Sequence, residues 1–287
     1  MTCTIFTPTY NRGYIIHKLY ESLCSQTDKD FEWLIVDDGS TDNTKELVSG
    51  FVQSADFPVR YYYKENQGKS SAVNVGAQKA SGELFFIVDS DDALVPNALE
   101  IIKEEYRHIE DNELFCGVCG IKCYFDGTKV GGGEDFGVLE CSSIDFRYKY
   151  DMKGDMSEVI KTDIIRQYPY PVIDGEKYMA PAGMWLRVAE KYKFRYFYKG
   201  VYLCDYLPDG LSRQNLKLRR KCPIGAMYCA MLLNNANVSM KIKAKSAINY
   251  WRFAFCTRDR RYRLSGFYRL FAPIGYVLNL YDSWKLR

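Results

Sequence analysis

The chain has 287 residues, of which 47% are apolar and 26% are charged, with a formal net charge of +3. This balance excludes an intrinsically disordered chain, and the length allows one large α/β domain or two smaller ones. No apolar run reaches the roughly 18 residues of a membrane-spanning helix. The first residues also lack the basic and apolar regions of a signal peptide, so we expect a cytoplasmic protein.

The charge is divided unevenly along the chain. Residues 1–190 carry 19 Lys and Arg against 32 Asp and Glu, whereas residues 191–287 carry 20 against 4. The acidic first part argues against nucleic-acid binding by the whole chain, and the basic, aromatic second part favours a phosphate-bearing partner. We expect residues 240–287 to dock peripherally on an anionic membrane surface, with a packed helical subdomain or a dimer contact as the alternative.

The apolar pattern of the first part alternates between the strand and helix periods. It predicts strands at residues 2–7, 31–36, 59–63 and 83–89. It predicts helices at residues 14–25, 41–51, 70–80 and 96–112, with Thr41 or Asp42 as the N-cap of the second. Such alternation is typical of a parallel sheet with helices on both faces.

Beyond residue 115 the rhythm loosens into strands and one helix near residues 184–193, and from residue 214 the pattern is helical. Cys116, Cys119 and Cys123 fall in an apolar strand pattern with no second Cys or His pair at zinc-site spacing, so we interpret them as structural thiols. We predict a domain at residues 1–213, with halves at about 1–112 and 113–213, and a helical extension at residues 214–287.

Polar segments follow three of the predicted strands. Asp89-Ser-Asp-Asp92 brings three carboxylates together, and Val36-Asp-Asp-Gly-Ser-Thr-Asp42 and Thr7-Pro-Thr-Tyr-Asn-Arg12 end two other strands. Carboxylates this close favour a cation, and their hard oxygens select Mg²⁺ or Mn²⁺. A solvated turn with helix-capping aspartates is the alternative for the first segment. In parallel sheets, ligands bind at the edge where strands have their carboxyl ends.

A fourth segment, Asn66-Gln-Gly-Lys-Ser70, contains Gly-Lys-Ser and therefore has to be compared with a phosphate-binding loop. Tyr63 stands where the Walker pattern requires glycine, which excludes that loop. No Gly-x-Gly-x-x-Gly follows the first strand, which argues against a Rossmann dinucleotide site.

These four segments, together with Asn74-Val-Gly76 and Ser81-Gly82, resemble in order and spacing the family 2 glycosyltransferases of the GT-A fold. The resemblance covers roughly residues 1–210. It implies an α/β fold of GT-A type, with a mainly parallel sheet flanked by helices, followed here by a helical C-terminal extension. It also implies a nucleotide-sugar donor, with a UDP-sugar favoured, a divalent cation, and inversion at the anomeric carbon.

The resemblance also assigns roles to individual residues. Asp38 would accept the imide N–H of the base, Asp89 would hold the ribose, and Asp91 would bind the metal. Arg12 is our candidate for a phosphate contact. The predicted nucleotide-binding residues are Thr7, Pro8, Tyr10, Arg12, Asp38, Lys69 and Asp89.

The catalytic base is where the sequence departs from the family pattern. Ala182 occupies a position at which an acidic residue would be expected, and Glu176 and Asp174 are the nearest carboxylates. We predict Glu176 as the base, ahead of Asp174. Asp209 stands where relatives often have a histidine, so it is predicted either to bind the metal or to shape the turn before Gly210.

The function implied is sugar transfer to a carbohydrate or lipid-linked acceptor hydroxyl, in surface polysaccharide or glycolipid synthesis. A sugar-phosphate nucleotidyltransferase is a second reading, although the Thr7–Arg12 segment lacks the glycines which that class requires. A catalytically silent protein that binds a nucleotide sugar or a lipid is a third reading, because of Ala182.

Overall fold

The computed structural model describes residues 1–207, 210, 213–264 and 266–286. The strands are β1 (Cys3–Thr9), β2 (Phe31–Asp37), β3 (Val59–Tyr63), β4 (Leu84–Ile87), β5 (Ala93–Leu94), β6 (Phe115–Cys123), β7 (Val138–Cys141), β8 (Met156–Lys161) and β9 (Lys193–Leu203). The first helices are α1 (His17–Cys24), α2 (Thr44–Ser54), α3 (Lys69–Lys79), α4 (Ala98–Arg107), α5 (Ser143–Tyr148) and α6 (Thr162–Gln167). The later ones are α7 (Ala182–Val188), α8 (Asn215–Lys221), α9 (Pro223–Asn235), α10 (Met240–Ala254) and α11 (Ala272–Lys285), with a 3-10 helix at Gly266–Phe271 before α11.

The strands form one sheet in the order β3-β2-β1-β4-β8-β6-β9-β5, with β7 paired to β9. The pairs among β3, β2, β1 and β4 are parallel. β8 runs antiparallel to both β4 and β6, whereas β6 and β9 are parallel. The α/β fold predicted from the sequence is confirmed, and its parallel pairs lie among β1 to β4 and between β6 and β9.

The elements predicted for the first hundred residues are all present, with shifted ends. The helix predicted at residues 41–51 is α2 at residues 44–54, and its N-cap is Asn43 and not Thr41 or Asp42. Asp42 instead uses its carboxylate to accept the backbone N–H groups of Thr44 and Gly13, which ties the preceding turn to the loop after β1. The helix predicted at residues 184–193 ends at Val188, because Lys193 already pairs in β9.

The sheet core explains why the first strands were recognisable from their apolar pattern. Every residue of β1 and β2 is buried, since helices cover both faces of this part of the sheet. On one face α3 packs so closely on β1 that a Cβ atom at Gly76 would lie 2.2 Å from the ring of Phe6. Cys116, Cys119 and Cys123 are free thiols buried in β6, and burial raises the pKa of each.

The chain divides into two compact units. The first comprises residues 1–169 and 191–205, which contain the sheet with α1 to α6, and the second comprises residues 170–190 and 206–287. This division differs from the boundary predicted at residue 213, because α7 packs on α9 and so joins residues 170–190 to the later helices.

The second unit is a group of helices with its own apolar core. α10 packs on both α9 and α11, and the buried Met227 of α9 shares an apolar cluster with Tyr250 and Phe253 of α10. None of the described helices combines the length and the apolar character that crossing a membrane requires.

A buried carboxylate fastens β2 to its neighbours in the first unit. Glu32 accepts hydrogen bonds from the Thr4 hydroxyl at 2.7 Å, the Ser81 backbone N–H at 2.6 Å and the Arg60 guanidinium at 2.9 Å. Burial alone would raise the pKa of Glu32, but these three donors outweigh it and lower the pKa below the ordinary 4.5.

We therefore expect Glu32→Gln to lower the free energy of unfolding by about 1–3 kcal/mol at neutral pH, because it leaves buried donors poorly paired. Since the folded pKa is depressed, the contribution of Glu32 is complete above the unfolded value and is lost as the pH falls through the folded value. Denaturant unfolding of both proteins between neutral and acid pH measures this. The stability difference should shrink at low pH, and Glu65→Gln, at an exposed position, should change little.

Candidate functional site

The polar segments singled out in the sequence meet at one edge of the sheet. β1 and β2 are parallel and in register to their last residues, with Thr9 opposite Asp37, and β4 runs parallel on the other side of β1. The loops after the three strands therefore emerge together, which is where ligands bind in open α/β sheets.

Asp38 organises the loop after β3. Its Oδ1 atom accepts the Lys64 ammonium at 2.6 Å and the Gln67 backbone N–H at 3.0 Å, and its Oδ2 atom accepts the Gly68 N–H at 2.7 Å. A carboxylate oxygen has two lone pairs, so Oδ2 keeps room for one further donor. This buried carboxylate is fixed in place by the protein and still has capacity for a ligand N–H group.

Two glycines allow the loops around Asp38 to approach each other. Gly39 has φ +89°, and a Cβ atom there would lie 2.9 Å from the backbone nitrogen of Asn66. Gly68 has φ +92° and directly precedes α3. Both backbones lie in the left-handed region that favours glycine, which accounts for the glycines in two of the sequence motifs.

The segment Thr7–Arg12 begins inside β1 and continues into the loop that follows this strand. The Thr7 side chain is fully buried, and its hydroxyl accepts the indole N–H of Trp33 at 2.9 Å. The side chain faces the buried Trp33 in the sheet core, because alternate residues of a strand face opposite sides. Pro8 is also buried, whereas the Tyr10 ring is 49% exposed.

Asn11 and Arg12 continue this segment across the end of the sheet. Asn11 has φ 52°, its N–H donates to the Ser40 hydroxyl and its side-chain oxygen accepts the Thr41 N–H. The Arg12 guanidinium donates to the Tyr14 hydroxyl at 2.7 Å. Its positive charge favours the ionised forms of Asp89 and Asp91, although burial and Asp89 outweigh this effect at Asp91.

Lys69, the first residue of α3, forms an ion pair with Asp89. Burial would raise the pKa of Asp89, but the charges of Lys69 and Lys122 outweigh burial and hold the pKa below its ordinary value. The structure thus brings together the predicted ribose-binding carboxylate and the predicted nucleotide-binding lysine, which lie 20 residues apart in the chain.

The two following carboxylates have a different electrostatic environment. Burial, together with repulsion from Asp89, raises the pKa of Asp91. Burial also raises the pKa of Asp92, to about 7, against the attraction of Lys122. The Tyr202 hydroxyl donates to Asp92 at 2.6 Å and accepts the backbone N–H of Asp89 at 2.9 Å, so β9 holds both ends of this turn.

Lys122 and Tyr202 belong to the site, and the sequence analysis missed both. The Lys122 ammonium lies 3.6 Å from the centre of the Tyr202 ring, and Asp89 and Asp92 both raise its pKa against the effect of burial. A lysine inside the otherwise apolar pattern of β6 was the available signal for Lys122. Tyr202 had no comparable signal, because tyrosines are frequent throughout the chain.

The residues around Asp91 fit a divalent cation in their donor chemistry. Asp91 offers hard oxygen ligands and is repelled by Asp89, a repulsion that a bound cation would relieve. Within the described residues, no three His, Cys, Asp or Glu side chains are grouped as a ready metal cage. Mg²⁺ is commonly held by one or two carboxylates with the rest of its shell from water and phosphates. Asp209, the other predicted ligand, lies outside the described residues.

The two predicted bases lie in the helical unit, in residues 170–190. The Glu176 carboxylate accepts the backbone N–H groups of Ile224 and Gly225 at 2.7 and 2.8 Å, at the N-terminus of α9. Burial raises its pKa despite these two hydrogen bonds. Asp174 is exposed in the preceding turn. Glu176 therefore pairs N–H groups that the helix itself leaves unpaired, a structural role in addition to the one predicted.

The relatives of this chain are mostly described as glycosyltransferases. It is 26% identical over 260 residues to a GalNAc(5)-diNAcBac-PP-undecaprenol beta-1,3-glucosyltransferase of Campylobacter jejuni, which covers 88% of this chain and 81% of that protein. It is 38% identical over 109 residues to an uncharacterized glycosyltransferase of Rickettsia felis, covering 38% of this chain but only 17% of that protein.

Solved structures share the fold at low sequence identity. TarS of S. aureus, as its 1–349 fragment in complex with UDP-GlcNAc, matches with a TM-score of 0.59 and 20% identity, covering 89% of this chain and 73% of that one. The mannosyltransferase PcManGT of Pyrobaculum calidifontis, in complex with GDP-Man and Mn²⁺, matches with a TM-score of 0.53 and 16% identity. It covers 98% of this chain and 87% of the other.

A family model fits the first half of the sequence. The model, described as glycosyl transferase family 2, matches residues 4–149, which is just over half of the chain and includes all four sequence segments at the sheet edge. The predicted resemblance is confirmed by this match, by the relatives and by the shared fold. The chain therefore belongs to glycosyl transferase family 2 and is a glycosyltransferase of the GT-A fold.

Proposed function

We propose that the protein is an inverting, divalent-cation-dependent transferase that moves a sugar from a nucleoside-diphosphate sugar, with a UDP-sugar favoured, to an acceptor hydroxyl. The observation that carries this proposal is the meeting of Asp38, the Lys69–Asp89 pair and Asp91 at one sheet edge. In this proposal Asp38 accepts the N–H of the base, and Lys69 supplies a positive charge. Asp89 binds the ribose and Asp91 binds the metal.

The donor contacts follow from the chemistry of each residue. The free lone pair of the Asp38 Oδ2 atom suits the imide N–H of uracil, and the exposed Tyr10 ring offers a face for stacking. The Lys69 ammonium and the Arg12 guanidinium suit the phosphates. Asp89 then accepts from a ribose hydroxyl. Because Thr7 is buried, we assign it a positioning role through Trp33 in place of a direct contact.

Asp91 is the proposed ligand for Mn²⁺ or Mg²⁺, with Asp209 as a second candidate. When bound, the cation would neutralise negative charge that develops on the leaving diphosphate. The chain's own Lys69 and Arg12 would share that task.

Inversion requires the acceptor oxygen to attack the anomeric carbon from the side opposite the leaving group. A carboxylate then removes the hydroxyl proton as general base. Glu176 and Asp174 are the proposed candidates, with Glu176 favoured because burial raises its pKa and so makes it a stronger proton acceptor than an exposed carboxylate.

The Campylobacter jejuni relative supports an acceptor carried on a lipid, since its name gives an undecaprenol-linked acceptor and the match covers most of both chains. We propose a carbohydrate or lipid-linked acceptor, in glycolipid or surface polysaccharide synthesis.

A panel of nucleotide sugars incubated with Mn²⁺ tests the reaction class. Release of nucleoside diphosphate supports a transferase, release of pyrophosphate indicates a nucleotidyltransferase, and donor binding without release indicates a silent binding protein.

Asp91→Ala should reduce turnover by about 10²–10⁴-fold, because several kcal/mol of charge stabilisation depend on the cation. It should also abolish the Mn²⁺-dependent part of donor binding, measured by calorimetry with and without the metal. Asp111→Ala, at an exposed aspartate in the loop before β6, is the matched control and should leave both unchanged. Full activity of Asp91→Ala in the presence of a chelator contradicts the assignment.

Glu176→Gln and Asp174→Asn separate the two base candidates. Loss of the base should lower turnover by about 10²–10⁴-fold while donor binding is retained. Because Glu176 also accepts hydrogen bonds from two N–H groups of α9, the thermal unfolding of the Glu176→Gln variant must be measured together with its turnover. A turnover loss confined to Asp174→Asn shows that the other carboxylate is the base, and a loss in neither variant means that the base lies elsewhere.

Tyr202→Phe removes the hydroxyl that joins Asp92 to the Asp89 backbone. We expect a stability loss of about 1–3 kcal/mol and weaker donor binding, since the turn carrying Asp91 loses its support. Tyr198→Phe, in the same strand but bonded to the exposed Gly133 carbonyl, is the control. Unchanged donor affinity in Tyr202→Phe would show that the hydroxyl does not hold the turn in its binding conformation.

A further inference from the structure

The last helix, α11, buries its polar side. Gly275, Asn279 and Asp282 are its buried residues, and their spacing of four and three places them on one face. A Cβ atom at Gly275 would lie 2.4 Å from the Cβ of Trp251, so α10 approaches the backbone itself. Asn279 donates to the Arg252 carbonyl at 2.8 Å.

An ion pair completes this buried face. Both oxygens of the fully buried Asp282 accept hydrogen bonds from the Arg252 guanidinium of α10. The contact between α10 and α11 therefore depends on hydrogen bonds and charge at positions where a surface helix of a globular protein usually has apolar side chains.

The apolar side chains of α11 are on the outside. Trp284 is 71% and Val277 63% exposed, and the other members of this group are close to half exposed. We call this group the outer face of α11; its residues are Ile274, Tyr276, Val277, Leu280, Tyr281 and Trp284. Phe267 and Leu270 in the preceding 3-10 helix are also exposed. Exposed apolar surface of this kind is typical of a site that binds another protein or a membrane.

The residues around the outer face carry mostly positive charge, which favours an anionic partner. Residues 240–286 contain ten Lys and Arg but only Asp259 and Asp282 as acids, and both acids are engaged in ion pairs with arginines. Arg258, Arg263 and Arg269 are exposed. A second copy of this chain on the same face would bring positive charge against positive charge, whereas anionic phosphate groups would complement it.

We propose that the outer face of α11 is a docking surface for an anionic lipid bilayer. The aliphatic side chains enter the boundary between headgroups and acyl chains, the tyrosines and Trp284 lie at the headgroup level, and the exposed arginines contact lipid phosphates. α11 has 14 residues, too few to span a bilayer, so it lies in the interface plane. This proposal does not depend on the glycosyl transfer proposed above, because its test measures binding alone.

The full chain is tested by co-sedimentation with phosphatidylcholine vesicles that contain phosphatidylglycerol, at low and high salt. We expect binding that weakens with salt. The double variant Val277→Ser/Trp284→Ser should lower vesicle affinity about tenfold or more, because it removes two side chains that would be buried in lipid. Val52→Ser, on the exposed side of α2, is the matched control and should bind like the wild type.

Two further readouts separate insertion from simple attraction. Brominated lipids should quench the fluorescence of Trp284, and Trp284→Phe should lose that quenching. Arg258→Gln/Arg269→Gln should weaken binding at low salt and make the remaining binding less dependent on salt. All substituted side chains are exposed, so melting temperatures should match the wild type and exclude misfolding as the cause.

Equal binding by Val277→Ser/Trp284→Ser and the wild type would overturn the proposal. So would equal binding to vesicles of phosphatidylcholine alone, or absence of binding at low salt. Concentration-dependent dimers that the same double variant abolishes, without vesicle binding, would assign the outer face to a second copy of this chain instead.

Discussion

Three carboxylates at the end of one buried strand repel one another, and much of the sheet edge around them serves to balance that repulsion. Asp89 is compensated by Lys69 from the start of α3 and by Lys122 from β6. Asp92 accepts a hydrogen bond from the Tyr202 hydroxyl, and burial raises its pKa to about 7. For Asp91, the charge of Arg12 does not outweigh burial and repulsion, so its pKa stays raised. The protein's own cations therefore outweigh burial at Asp89, whereas the pKa values of Asp91 and Asp92 stay raised.

Much of the first sheet half could be predicted from the sequence. Its strands are buried on both faces, so they are continuous apolar runs, and the polar residues that follow them stand out in the pattern. Parallel pairing then brings the ends of β1, β2 and β4 to one edge of the sheet, and this can be predicted without knowing the register of the strands. For this reason, the sequence was enough to predict that Asp38, Lys69, Asp89 and Asp91 lie at the same edge of the sheet.

The parts that could not be predicted depend on pairing between distant segments. Tyr202 reaches Asp92 across 110 residues, through a sheet order that the sequence does not encode locally. The contact of Thr7 with Trp33 could not be predicted either, because a strand buried on both sides gives no alternation from which to read the direction of its side chains. The pairing of Glu176 with the start of α9 could not be predicted, because its partners lie 48 and 49 residues later in the chain.

The helical unit is discontinuous in the sequence, and this has a consequence for how the chain is made. Residues 170–190 belong to it, yet residues 191–205 return to the sheet before the remaining helices follow. During synthesis the sheet can close once β9 has left the ribosome, whereas Glu176 must wait for the N–H groups at the start of α9. While α9 is still being synthesised, α7 therefore lacks its packing partner, although every strand of the sheet has already been made.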